Sequence, residues 1–315
     1  MRRILGLVPV LLAAAAIVWV FVFLLPGDPA RLIAGGASAD PDVLQSIREE
    51  WGLDRPAPAQ FLHYFGMILR GDLGTSYVQK RPVSAIIADH FPATFILAVA
   101  AVLLSAGGGL VLGSLAALNR GRLVDSVVLF LALLGTSLPV FWLGLILMLV
   151  FASGLGWLPV LGYGMNGMIL PFTSIRLPEW DHLVLPALTL SLVSMGGIAR
   201  VARASLIDTG TADFLQTARA KGASGARVFA RHTLKNALLP VITVVGLDFA
   251  GLLGGAVATE YVFAWPGLGK TIVRAIGLRD LPVVEGGVLF LTAIFVLASL
   301  AVDLAYVYLD PRIHY

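Results

Sequence analysis

The amino-acid sequence predicts an all-α polytopic membrane protein with about six transmembrane helices. Of its 315 residues, 58% are hydrophobic and only 13% are charged, and the mean hydropathy is +0.90. Ordinary water-soluble domains are about one quarter charged, so this chain has too few charges to cover a soluble surface. Its apolar residues are also grouped into stretches that reach the roughly 20 residues a helix needs to cross about 30 Å of hydrocarbon.

These stretches set the predicted domain organisation. Residues 1–25 form the first transmembrane helix, 26–92 a small extracytoplasmic segment, and 93–315 a five-helix transmembrane core with a long cytoplasmic connection at 208–236. The first stretch follows Arg2 and Arg3, as a signal peptide does, but it is too long and lacks a small-x-small cleavage site. The predicted spans are Ile4–Leu25, Ala93–Leu118, Ser126–Phe151, Leu183–Ile207, Ala237–Thr259 and Val283–Leu309.

Basic residues in the short loops predict the orientation, because such residues favour the cytoplasmic side. In a six-helix arrangement they all fall on one side of the membrane, so both termini are predicted to be cytoplasmic. These residues are Arg2, Arg3, Arg120, Arg122, Arg219, Lys221, Arg227, Arg231, Lys235 and Arg312.

The extracytoplasmic segment is predicted to contain two short helices and no catalytic constellation. The first runs from Pro41 to Glu50, with Asp40 or Ser38 as its cap, and the second covers residues 60–69. A loop follows at 71–77, and Pro92 is predicted to begin the second membrane helix.

Several classes of function are excluded by what the sequence lacks. Without cysteine there are no disulfides and no thiolate metal sites. No dense basic run is interleaved with aromatic residues, so no nucleic-acid partner is predicted. The chain has no G-x-x-x-x-G-K-[ST] motif, and therefore no such ATP-binding site of its own.

The connection at 208–236 is far longer than a simple hairpin needs. Phe214, Leu215 and Ala218 share one face of a predicted short helix, and Gly222 can end that helix in a left-handed conformation. Ser224 can cap a following helix, in which Arg227, Arg231 and Lys235 fall on one basic stripe at four-residue spacing. The segment either anchors the chain to anionic lipid or docks on a protein, and the small apolar face favours docking.

Polar residues inside the predicted spans are candidates for a membrane path. An ionised carboxylate such as Asp248 in mid-membrane is costly unless it faces water or a partner, so it lines a path or forms a structural pair. Glu260 lies at the outer end of the same span, and Ser137 with Pro139 marks a break in the third. Asp303, near the inner end of the sixth span, either caps or pairs locally or contacts substrate. For other positions we expect structural roles only: snorkelling for Arg200 and Arg203, and close helix packing for Gly107, Gly108, Gly109 and Gly113.

Two motifs in the long connection carry a family resemblance. The sequences QTARAKG at Gln216–Gly222 and RHTLKNALLPV at Arg231–Val241 resemble the coupling motif of ABC importer permeases, and most closely those for dipeptides, oligopeptides, nickel and glutathione. Gln216, Thr217 and Ala218 replace the generic Glu-Ala-Ala, and Pro240 falls later than usual. The resemblance extends along the chain through LPGDPARL, WGLDRPAP, GDLGTSY, LPVFWLGL, LGWLPVLGYG, YVFAWPGLGK and LDPRIHY.

The resemblance implies a type I ABC importer permease fold in a bacterial inner membrane. It implies as partners a second homologous permease, two ABC ATPase subunits and an extracytoplasmic solute-binding protein, with ATP and Mg on the ATPases and no cofactor or metal on this chain. Coupling to the ATPases is assigned to Asp213, Phe214, Leu215, Gln216, Thr217, Ala218, Arg219, Ala220, Lys221 and Gly222, and a coupling lever to Arg227, Arg231, Lys235, Asn236 and Pro240. A translocation path is assigned to Ser137, Pro139, Asp248 and Glu260.

Two other functions account for some of the same features. An ion-coupled secondary transporter would also show intramembrane carboxylates and broken helices, but it leaves the long connection without a purpose. A membrane serine protease using Ser137 needs a nearby base, and the five histidines are expected in loops or at helix ends. For an importer, di- and oligopeptides are the leading substrates, ahead of glutathione and nickel chelates.

Overall fold

A computed structural model describes residues 9–10, 12–20, 30–31, 40–51, 54, 56–164, 167 and 176–309. Residues 12–20 are helical. Two π-helical segments occur, Met148–Gly154 after α5 and Phe229–Thr233 before α9. The labelled helices are α1 Pro41–Trp51, α2 Ala57–Leu69, α3 Val83–Leu118, α4 Leu123–Ser137, α5 Val140–Leu147, α6 Trp180–Gly210, α7 Asp213–Ala220, α8 Gly225–Val228, α9 Leu234–Gly255, α10 Val257–Val262, α11 Leu268–Leu278 and α12 Leu281–Leu309.

Four helices in the described part are long and apolar enough to cross a membrane. They match the second, fourth, fifth and sixth predicted spans, which are thereby confirmed. Half of the first predicted span, Ile4–Leu25, lies outside the described residues. The four helical spans are Val83–Leu118, Trp180–Gly210, Arg231–Gly254 and Leu281–Val302.

The third predicted span is two helical pieces rather than one helix. Leu123–Ser137 and Val140–Gly154 meet at an angle of 108°, and they make a fifth span if they are counted together. Leu138 between them is extended, with ψ 138°, as expected before a proline, whose ring disfavours the helical conformation of the preceding residue. The break predicted at Ser137 and Pro139 is therefore confirmed.

Helix α3 begins at Val83, so the prediction that Pro92 begins this helix is wrong. Pro92 lies inside it. Hydropathy did not include residues 83–91 in the predicted span because they carry the charged side chain of Asp89. Yet Val83 and Ile86 in this segment are fully buried. They pack in a core with residues of α11 and α12, including Ile272.

In residues 26–92, the segment predicted to be extracytoplasmic, both short helices form. The Asp40 carboxylate accepts a hydrogen bond from the Asp42 backbone (3.0 Å) and so caps α1, whereas Ser38 lies outside the described residues. The second helix begins at Ala57, before the predicted Gln60.

One compact unit combines residues Met1–Thr94 with Pro266–Val296. Its loop at 71–77 is tied to the start of α12. The Ser76 hydroxyl donates to Asp280 Oδ2 (2.5 Å), and the Tyr77 backbone donates to Asp280 Oδ1 (3.0 Å). The rings of Phe91 and Phe290 meet edge to face at 4.9 Å. These contacts attach the loop at 71–77 to the start of α12, and α12 to α3.

The second compact unit combines residues Phe95–Trp265 with Leu297–Tyr315. Its central element is α6, which packs against α4 and α9. Of the four glycines expected to permit close packing, three do so. A Cβ atom at Gly108, Gly109 or Gly113 would lie 2.5–2.7 Å from a backbone or side-chain atom of α6. Gly107 has no neighbour within 4 Å, so the prediction is wrong for that residue.

The loop after the third predicted span is also held within the second unit. Gly162 donates a backbone hydrogen bond to the Phe263 carbonyl (2.9 Å), and the Tyr163 ring lies 4.6 Å from that of Trp265. Burial raises the pKa of Tyr163 to about 12, so its hydroxyl is neutral at physiological pH and donates to the Arg176 carbonyl (2.8 Å).

Candidate coupling region and membrane path

Helix α7 is the short helix predicted in the long connection, and its apolar face is divided. Leu215 is buried, with 1% of its surface exposed, whereas Phe214 is 44% exposed. The side chain of Ala218, the third member of the predicted face, lies outside the described residues, as does that of Arg219. Leu215 therefore holds the helix to its own chain, and Phe214 remains available to another surface.

The turn after α7 has the conformation that its glycine allows. Gly222 has a φ of +82°, in the left-handed region where residues with a Cβ are disfavoured. The Ser224 hydroxyl then accepts a hydrogen bond from the Arg227 backbone (3.4 Å) and caps α8, as expected from the sequence. The chain thus turns sharply between α7, which ends before Gly222, and α8, which Ser224 caps.

The basic stripe of the connection does not lie on one regular helix. Arg227, Arg231 and Lys235 are all exposed, but the π-helical segment Phe229–Thr233 separates α8 from α9. A π-helix has a wider turn than an α-helix, so the four-residue spacing does not keep these side chains in line. The prediction of a single stripe is wrong in that respect.

Helix α9 is joined to α6 near its N-terminus. The Ser205 hydroxyl of α6 donates to the Ala237 carbonyl of α9 (2.9 Å), and Val241 packs with Ile198 and Ala202. Asn236 instead donates to the carbonyl of His232 in the preceding π-helical segment (2.7 Å). Pro240 lies inside α9 and is exposed.

The four residues assigned to a path occupy different surroundings. The Ser137 hydroxyl donates to the Leu133 carbonyl of its own helix (2.8 Å), and Pro139 starts the next helix at the break. Asp248 of α9 is half-buried. Glu260 of α10 is fully buried. Of the four, Ser137 and Pro139 are exposed on this chain.

An ion pair that the sequence did not predict lies between α4 and α6. Arg203 donates from Nε and one terminal nitrogen to the two carboxylate oxygens of Asp125 (2.5 and 2.7 Å). The Gly121 backbone donates to the same carboxylate (2.9 Å). The expectation that Arg203 only snorkels to the interface is therefore wrong, because its guanidinium forms an ion pair with Asp125 within the protein.

Three residues at the start of α6 are the group in the described part with ligand atoms close enough for a metal ion. Glu179, Asp181 and His182 each place one such atom within 4.8 Å of the others. Acidic residues at a helix N-terminus are favoured by the helix dipole, which accounts for this grouping.

The prediction that histidines occur only in loops or at helix ends is wrong, since His63 lies inside α2 and His90 inside α3.

Family models match nearly the whole chain. The model described as the binding-protein-dependent transport system inner membrane component matches residues 109–315, and that of the N-terminal part of such membrane components matches residues 1–98.

Curated relatives are similar along their full length. The glutathione transport system permease protein GsiC of Salmonella choleraesuis (strain SC-B67) is 43% identical over 315 residues, which are 100% of this chain and 98% of the relative. GsiC of Pectobacterium atrosepticum is 43% identical and GsiC of Escherichia coli (strain K12) 40% identical, each over 314 residues with the same coverage.

A solved structure shares the fold. A chain of the MetNI methionine ABC transporter, in an inward-facing conformation, aligns with a TM-score of 0.56, covering 72% of this chain and 97% of that chain. Sequence identity is 16%, so this likeness concerns the fold alone.

Proposed function

This chain belongs to the family of binding-protein-dependent transport system inner membrane components, the permease subunits of ABC importers, and on that premise we propose that it forms half of the membrane pathway of an ATP-driven importer of short peptides. The observation that carries the substrate class is the 40–43% identity along the whole chain to permeases named for glutathione, a tripeptide. Di- and oligopeptides share its backbone and termini.

The proposed assembly has partners on three sides. A second homologous permease completes the pathway, two ABC ATPase subunits bind ATP and Mg in the cytoplasm, and a solute-binding protein delivers the peptide from outside. This chain binds no cofactor in the proposal. Many large apolar side chains of α3 and α4 are exposed, such as Leu103 (68%) and Phe130 (60%), which suits contact with lipid or with the second permease.

Helix α7 is the proposed contact with an ATPase. The exposed ring of Phe214 would enter an apolar groove there, while Leu215 keeps α7 attached to its own chain. ATP-driven movement of the ATPase would pass through the turn at Gly222 into the arm formed by α8 and α9. The Ser205–Ala237 hydrogen bond and the packing of Val241 would transmit that movement to α6.

Ser137, Pro139, Asp248 and Glu260 are proposed to line or shape the peptide path. Asp248 is the one to which we assign a chemical role, since a carboxylate attracts the ammonium group at a peptide N-terminus. An amide of the same shape removes the charge and keeps the size of the side chain, so charge and shape can be separated by substitution.

Uptake by reconstituted transporter tests this proposal. Proteoliposomes holding the chain with its ATPase subunits, and supplied with the solute-binding protein, should take up labelled glutathione or a dipeptide only when ATP is enclosed. An ionophore that abolishes ion gradients should leave that uptake unchanged; the opposite pattern would establish an ion-coupled secondary transporter. Asp248→Asn should reduce uptake while Asp208→Asn, at an exposed cytoplasmic carboxylate, should not.

A further inference from the structure

An exposed patch of mixed chemistry lies where the turn at 76–81 meets the C-terminal end of α11. Three large apolar side chains in it are 50–59% exposed, and three cationic side chains within two residues of them in the sequence are also exposed. No carboxylate among the described residues forms an ion pair with these cations. We call these six residues the outer patch: Val78, Lys80, Arg274, Ile276, Leu278 and Arg279.

Both segments of the outer patch belong to the first compact unit, and Asp280 joins them. Its buried carboxylate accepts hydrogen bonds from the Ser76 hydroxyl (2.5 Å) and from the Tyr77 backbone (3.0 Å). Lys80 and Arg279 have left-handed backbones, with φ angles of 53° and 56°, a conformation that residues with a Cβ seldom adopt. A surface fixed in this way has less freedom to lose when a partner binds.

The outer patch lies beyond the lipid headgroups along the axis of α3. The predicted span in this helix begins at Ala93, and residues 83–92 extend the helix by about 15 Å. Headgroups occupy only about 5–8 Å on each side of the hydrocarbon. Asp89 in this extension pairs with Arg81 at the end of the turn (2.7 Å), and charged groups avoid hydrocarbon. A partner that covers the outer patch is therefore a protein rather than a lipid surface.

We propose that the outer patch docks the solute-binding protein, through a surface of that protein on which carboxylates surround apolar side chains. This inference rests on the proposed function, which supplies the partner, and on the predicted orientation, which puts residues 26–92 outside the cytoplasm. Protein interfaces commonly have an apolar centre and a polar rim, and arginine is enriched in them. Cations that no carboxylate of the described chain compensates attract an acidic surface and favour one orientation on it.

Binding to the assembled transporter in lipid nanodiscs tests this docking. The probe is the solute-binding protein that stimulates ATP hydrolysis by the wild-type transporter. Arg274→Glu should raise its dissociation constant by about fivefold or more, since a like charge then faces the acidic surface. Ile276→Ser should also weaken binding, because it removes an exposed apolar contact. Added salt should weaken binding to the wild type more than to Arg274→Glu, because salt screens the attraction between exposed charges.

Matched variants separate docking from general damage. Arg274→Lys keeps the positive charge and should retain most of the affinity. Arg122→Glu reverses an exposed charge at the start of α4, on the predicted cytoplasmic side, and should leave binding unchanged. In Arg274→Glu the second permease and the ATPase subunits should copurify in wild-type proportions, and ATP hydrolysis without the solute-binding protein should be unchanged.

The outcomes distinguish this inference from the function on which it rests. Wild-type affinity in both Arg274→Glu and Ile276→Ser would overturn docking at the outer patch and leave the proposed function intact. Loss of the second permease from Arg274→Glu, or a binding defect that disappears in nanodiscs without anionic lipid, would also overturn it, in favour of a permease contact or a lipid contact. If ATP hydrolysis by the wild-type transporter does not respond to a solute-binding protein, the proposed function fails and the docking fails with it.

Discussion

Gly222 lies between α7 and α8 with a φ of +82°, and no atom lies within 4 Å of the position that a Cβ would occupy. The space around it is open, so a larger side chain meets no steric obstacle there. What opposes substitution is the backbone conformation alone, which L-residues with a Cβ disfavour. Gly225, three residues on, is equally free of neighbours but has an ordinary helical backbone.

Gly222→Val should therefore weaken coupling without disturbing insertion. The left-handed conformation becomes less favourable by about 1–2 kcal/mol, and we expect α8 to be misdirected and ATP hydrolysis stimulated by the solute-binding protein to fall. Gly222→Asn should retain most of the stimulation, because asparagine tolerates this conformation better. The measurement is stimulated ATPase activity on the same reconstituted preparations.

Gly225→Val provides the control for that experiment, since it adds the same side chain where the backbone is helical. If Gly222→Val and Gly225→Val behave alike, or if both retain wild-type stimulation, the conformation of Gly222 has no part in coupling.

At the scale of single elements, the two adjacent apolar residues of α7, Phe214 and Leu215, have different surroundings. Leu215 is buried and Phe214 is 44% exposed, so a change at position 214 leaves the packing of this chain intact. In the proposed assembly, the ring of Phe214 is the group of α7 that an ATPase subunit covers.

Phe214→Asp should release the ATPase subunits during purification while the chain still inserts. An unpaired charge placed in an apolar groove is strongly unfavourable. Gly210→Asp adds the same charge at the exposed end of α6, outside the residues assigned to coupling, and should keep the ATPases bound. Subunit stoichiometry after affinity purification is the readout, and full retention of ATPases by Phe214→Asp would contradict a docking role for α7.

The sequence predicted most elements because two of its signals are local. These are the length of each apolar stretch and the glycine or proline residues at which a helix ends or breaks. The sequence placed the break at Ser137 and Pro139 and the turn at Gly222. It missed the extension of α3 to Val83, where Asp89 lowers the local hydropathy, and the π-helical segment at 229–233. It also missed the pairing of Arg203 with Asp125, which depends on contacts between residues 78 positions apart in the chain.

At the scale of the whole molecule, the broken third span decides which side of the membrane each later loop reaches. Each piece has 15 residues, or about 22 Å of helix, which is shorter than about 30 Å of hydrocarbon. If the two pieces together cross the bilayer, the termini lie on the same side. If they return to the side from which they came, every element after them is inverted.

Single cysteines in this cysteine-free chain distinguish the two arrangements. Gln79, Gly121, Trp157 and Gly225 are exposed and can each be replaced by cysteine. An impermeant thiol reagent added to intact spheroplasts should label positions 79 and 157 and leave 121 and 225 unlabelled until the cells are opened. Labelling at 225 but not at 157 would instead show that the third span turns back.

The ion pair between Asp125 and Arg203 has a consequence for how such a chain changes over generations. Asp125 is 4% exposed, and both of its oxygens are held by the one guanidinium. Loss of either residue alone strands the charge of the other, which is worse than losing both. Lysine is no substitute, because it cannot make the paired geometry of arginine. We therefore expect relatives of this chain either to keep both residues or to replace both, which an alignment of their sequences at these two positions would show.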